Sequence, residues 1–171
     1  MSPAKATAAK NKPAKKQSGS SPQAQLDDFL DKFTPPIADD ARVALRRMRA
    51  RLPGAIELVY DNYNALAIGF GPSERTSEAI FSIALFPRWV SLFFLLNGTR
   101  LRDPDCFLEG SGNQARHIKL DNGAMIDDHG VQDLIAQALE LAPRPIDPSQ
   151  PRRLIIKSVS AKQRPRRPAG K

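Results

Sequence analysis

His117 and His129 are the two histidines of the chain, and Cys106 is its one cysteine. His129 stands at the start of a helical stretch. No histidine neighbours Cys106 in sequence, so its thiol is expected to be buried and inert. No C-x-x-C or H-E-x-x-H spacing is present, and no Walker or dinucleotide-binding pattern. A Ser/His/Asp arrangement has no nucleophile elbow to support it. The expectation is a non-enzymatic protein without a cofactor.

Binding chemistry is better represented, in three groups of residues. Tyr60, Asn62 and Tyr63 stand at one turn, and Arg88 and Trp89 at another. His117 and Lys119 share one face of a short strand, just after Gly110-Ser111-Gly112. Aromatic rings with a few polar groups suit a ligand pocket. Glycine-loop amides beside Arg and Lys suit an anion, although no helix follows this loop as one would in a phosphate loop. The plain alternative gives Trp89 and the tyrosines to the edge of the core, His117 and Lys119 to solvent, and the glycines to turns.

The second group is acidic: Asp27, Asp28 and Asp31, with Asp39 and Asp40 nearby. Asp27 and Asp31 are one helical turn apart, and hard or borderline cations prefer such oxygens. Helix-dipole compensation and solubility explain the same residues. The third group is basic. Residues 1–25 hold five lysines and no acid, and residues 143–171 hold nine basic residues and one acid. The stretch between them carries a net −5 within a chain of net +8. Lys12, Lys15 and Lys16 at one end, and Lys162, Arg164, Arg166 and Arg167 at the other, would attract phosphate backbones by counterion release. No aromatic residue interleaves these tails, so base stacking is not expected within them.

The elements that must position these residues are legible from periodicity. Ala79 to Leu96 (AIFSIALFPRWVSLFFLL) breaks only at Pro87-Arg88 and suits two buried strands joined by a tight turn. The second strand is apolar on both faces, as a central strand is. Gln23 to Phe33 and Ala38 to Leu52 have helical spacing, with Thr34-Pro35 between them as stop and cap. Ile56 to Asp61, Ala65 to Phe70 and Arg116 to Leu120 read as further strands. Asp127 or Asp128 caps a last helix with Val131, Leu134, Ile135, Ala138 and Ala142 inside. The proline-rich 143–151 is a linker, and Arg153 to Ser160 is strand-like.

The resulting expectation is an α+β fold of order αα-ββ-ββ-β-α-(β), with helices on one face of an antiparallel sheet. Residues 1–22 and 161–171 are expected as disordered basic tails around one domain at 23–160. Arg153 to Ser160 should add a strand or cover the second face of the sheet. Otherwise that face is left for a dimer contact or a ligand. The lone cysteine and the lack of an apolar leader fit a soluble, cytoplasmic protein.

The paired helices leading into IELVYDNYNALAIGF, the segment NGTRLRDPDCFLEGSGNQARHIKL and the terminal RRLIIKSVSAKQRPRRP resemble the YdhG-like domain, a bacterial family of unknown function. The resemblance runs from about Gln25 to Pro168 and is most specific at LEGSG…RHIKL. It implies a compact frataxin-like fold and, through frataxin, an iron-handling alternative that would use Asp27, Asp28 and Asp31. The turn YDNYNALAI departs from the family pattern. Expected partners are a small ligand or a protein, weak nonspecific nucleic acid through the tails, and no membrane, for a monomer or dimer.

Overall fold

The computed structural model of the protein describes residues 19–169. Helix α1 spans Pro22–Leu30, with the Ser21 hydroxyl accepting from the Ala24 N–H at 3.1 Å. Pro22 therefore opens a helix instead of closing a tail. Helix α2 spans Pro35–Arg51 and α3 spans His129–Leu141. Their inner faces are Leu26, Phe29 and Leu30 on α1, Ala41, Leu45 and Met48 on α2, and Val131, Leu134 and Ile135 on α3.

Six strands follow the sequence pattern: β1 Ile56–Asp61, β2 Leu66–Gly71, β3 Phe81–Leu85, β4 Val90–Phe94, β5 Arg116–Leu120 and β6 Arg153–Val159. Three short 3-10 turns, absent from the expected order, lie at Thr76–Glu78, Gly98–Arg100 and Gly123–Asp127. The sheet runs β5-β4-β3-β2-β1-β6. Strands β1 to β5 pair antiparallel, but β6 lies parallel to β1, so the sheet is mixed and not antiparallel. Helix α3 and the proline-rich segment lie between β5 and β6. That length of chain allows a crossover, where a tight turn would force antiparallel pairing.

All three helices pack on one face of the sheet. Ile68, Phe70, Phe81, Ile83, Leu92 and Phe94 meet them there, fully buried. The Phe81 and Phe94 rings meet edge to face at 5.7 Å. Burying each such side chain contributes about 1.5–3 kcal/mol. The 3-10 turn at Gly123–Asp127 closes tightly on α2: a Cβ on Gly123 would stand 2.3 Å from the Asp40 carbonyl oxygen. Arg47 and Arg51 of α2 pair with Asp127 at 2.5 and 2.8 Å.

Strand β6 does not cover the second face. It extends the sheet beside β1. The β2–β3 loop lies over part of that face instead, through the Tyr60 hydroxyl to Thr76, Arg153 to Glu74, and the Lys157 ammonium donating to the Glu74 carbonyl. The same loop holds Glu78, which pairs with Arg144 at 3.0 Å. The Ser73 hydroxyl first, then Arg144 and Arg75, hold the Glu78 carboxyl below its ordinary value against the opposing effect of desolvation. Strand β4 presents only Ser91 and Phe93 to the second face, so it is not apolar on both sides.

Candidate anion-binding cleft

Strand β1 points two carboxylates, Glu57 and Asp61, toward the helices, where both are buried. Charges in such a place require partners. Glu57 accepts from Arg49 Nε and Nη2 at 3.0 and 2.8 Å, and from Arg152 of the segment entering β6. Asp61 accepts from Lys32 Nζ at 3.0 Å and from Arg166 Nη2 at 2.7 Å. Arg166 is itself 5% exposed. It also donates to the Asn62 and Tyr63 carbonyls, and its guanidinium carbon lies 5.6 Å from the centre of the Phe33 ring. Among the described residues its Nε meets no acceptor.

This lock fixes the segment after β6, and residues 161–171 are therefore not a free tail over their described part. The Ser160 N–H donates to the Asp61 carbonyl at 2.8 Å, and the Arg164 N–H to the Tyr63 carbonyl at 2.9 Å. Arg167 reaches the carbonyls of Asp31 and Lys32 at 3.4 and 3.3 Å. Pro165 and Pro168 restrict the backbone on either side, which lowers the entropy lost on docking.

Docking the segment builds a cleft of about 690 Å³ at one end of the sheet. Its walls are the β1–β2 turn at Asn64, the β3–β4 turn at Phe86–Trp89, and the segment from Arg164 to Ala169. The second turn is closed by the Phe86 N–H donating to the Trp89 carbonyl at 2.9 Å. Arg88, Arg164 and Arg167 line the cleft, and among the described residues no carboxylate does. Among the described residues none of the three arginines has a carboxylate within ion-pair distance. Arg164 lies 5.9 Å from the centre of the half-exposed Tyr63 ring.

The residues expected to form one pocket are divided among three places. Arg88 and Trp89 line the cleft, and Asn62 and Tyr63 stand beside it. Tyr60 points along the second face to Thr76. Lys119 reaches over the Trp89 indole, with Nζ 5.3 Å from its centre. His117 sits one row further along β5, stacked on Phe93, with Nε2 3.4 Å from Glu109. Gly110-Ser111-Gly112 enters β5 at its opposite end, where Gly112 accepts from Arg116 at 2.5 Å. It holds no part of the cleft.

A scan of protein-family profiles, a search of curated proteins and a search of solved structures each find no match to the chain.

The acidic residues of α1 are not gathered as a cage. Asp31 is paired with Arg42 at 2.5 Å, Asp27 accepts from Gln23 at 3.0 Å, and Asp28 is exposed. Among the described residues no group of three or more His, Cys, Asp or Glu side chains is placed to hold a metal ion. Cys106 is exposed, not buried, on a loop with φ of 56°. Of the basic residues assigned to phosphate attraction, Arg166 is withdrawn into the core, while Lys162, Arg164 and Arg167 remain exposed. Lys12, Lys15 and Lys16 lie outside the described residues. Among the described residues no helix is long and apolar enough to cross a membrane.

Sequence spacing contains little of the cleft. Asn64, Phe86 and Pro87 read as turn residues, and Arg164 and Arg167 as tail. The one available signal was the alternation QRPRRP, where two prolines stiffen a segment otherwise read as free.

Proposed function

We propose that the protein is a non-enzymatic binding domain that holds a phosphate-type anion in the cleft at the turn end of the sheet. The observation that carries this reading is the lining itself: three guanidinium groups without a carboxylate partner, and an indole, with no carboxylate among the described lining residues. Guanidinium forks match phosphate oxygens in pairs, and an indole adds a flat apolar wall. The reading keeps the YdhG-like resemblance as part of the proposal. It takes the fold as frataxin-like only in broad form, helices against one face of a sheet. The parallel β1–β6 pair departs from that form.

Trp89 is the only tryptophan, so its emission reports on the cleft without a label. Titration with pyrophosphate or ATP at low salt should give a saturable change. The apparent affinity should fall as salt rises, and fall at least tenfold in the R164A/R167A double variant. A flat titration, or equal affinity in wild type and double variant, overturns the proposal.

A further inference from the structure

The register of the sheet carries this proposal a step further. From that reading we infer that the ligand is a single-stranded nucleic acid, with phosphates in the arginine cleft and bases stacked along the second face of β4 and β5.

Strand alternation sets the second face of the sheet in rows. The first row, at the cleft, is Phe86 and Trp89, whose rings stack at 4.8 Å and 20°. The next is Ala84, Ser91 and Lys119, and the third is Ser82, Phe93 and His117. The Phe93 and His117 rings stack at 5.0 Å and 25°. Two aromatic pairs thus flank a floor of small side chains, with an exposed ammonium at its edge. Trp89 immediately precedes β4 and Phe93 lies within it, four residues on, about 13 Å of extended chain. That is a reach for a few splayed nucleotides.

Each of the four rings is only partly buried, which leaves aromatic surface at the face of the sheet. Rings beside basic groups are the chemistry that single strands recognise, because every base has a π-face. A duplex keeps those faces stacked inside itself. The charges agree along the path. Lys119 and the three cleft arginines have no carboxylate partner among the described residues, and Glu109 pairs with His117 at 3.4 Å. The fold therefore supplies what the basic segment lacks in sequence, since the rings come from β4, β5 and the β3–β4 turn.

The test uses the full chain with labelled oligothymidylate, oligouridylate and a DNA duplex of equal length, read by anisotropy and Trp89 emission. Either single strand should bind more tightly than the duplex and more tightly than ATP. Phe93→Ala should weaken strand binding roughly 5- to 100-fold, while ATP binding changes little. Lys119→Glu lies on an exposed side chain and reports even where F93A folds poorly; it should weaken strand binding at least fivefold. A preference between the two oligonucleotides identifies RNA or DNA as the source. Equal affinity for duplex and single strand, or strand binding unchanged in K119E, overturns the inference. If ATP still binds and R164A/R167A abolishes that binding, the cleft reading survives this loss. If ATP also fails to bind, both readings fall. Strand affinity no tighter than that of an acidic peptide of equal charge would likewise reject the nucleic-acid assignment.

Discussion

Arg166 and its neighbours Arg164 and Arg167 are the same residue type on one short segment, yet the fold uses them in opposite ways. Arg166 is buried against Asp61 and two carbonyls, while Arg164 and Arg167 stay exposed without a carboxylate partner among the described residues. Desolvation explains the division. A guanidinium taken out of water must be matched by a carboxylate, and Arg166, so matched, is spent on structure. An exposed guanidinium keeps its hydration and its charge available to a ligand. A count of positive residues in this segment overstates its binding capacity, because one of them is a fastener.

The contrast is broken most strongly at the buried pair. Asp61→Ala leaves Arg166 buried without its counter-charge and should destabilise the fold by about 3–5 kcal/mol, read from the urea midpoint. Replacing both partners, as D61L/R166M, should cost much less. An equal loss in single and double variants would mean that the pair is not the lock described. At the other buried carboxylate, Glu57→Gln should cost about 1–3 kcal/mol. Arg49 and Arg152 are partly exposed there and can turn to water.

Next come the exposed arginines. Arg164→Ala with Arg167→Ala should shift stability by about 0.5 kcal/mol or less while lowering ATP affinity. A large fall in stability would place these residues with Arg166 instead. The smallest effect belongs to Glu78, whose carboxyl is held below its ordinary value, first by Ser73. A depressed carboxylate contributes stability that is complete above its unfolded value and is lost as pH falls through its folded value. Glu78→Gln should therefore lower stability slightly at neutral pH, leave it unchanged at low pH, and so flatten the acid limb of a stability–pH curve. A variant limb as steep as the wild type would show that the contact with Ser73 is not maintained in solution.

Local periodicity made much of the fold legible. The stripe Ala41, Leu45 and Met48 marks α2, and the branched residues from Leu154 to Ile156 mark β6. The partner of β6 was not legible, because nothing local says that it should lie parallel to β1. The orientation of β1 was harder still. Ile56, Leu58 and Tyr60 alternate with Glu57, Val59 and Asp61, and polarity alone would turn the acidic set outward. It faces inward because Arg49, Lys32, Arg152 and Arg166 converge on it from four separate segments. The glycine loop and Trp89 looked like neighbours on sequence. The direction of β5 carries them to opposite ends of the sheet.

The parallel pairing of β1 with β6 also has a consequence for timing. The two strands meet across about a hundred residues, as the Glu57–Arg152 contact does across 95. Contacts of such separation form late, after local hairpins have condensed. The cleft should consequently be the final part of the domain to mature, and a ligand that needs Arg164 and Arg167 should stabilise only the docked form. Amide hydrogen exchange should show two cooperative units, β2–β4 opening rarely and β6 with residues 160–168 opening more often. Ligand should slow exchange in the second unit alone, so occupancy would be read as protection of a segment that holds few of the core side chains.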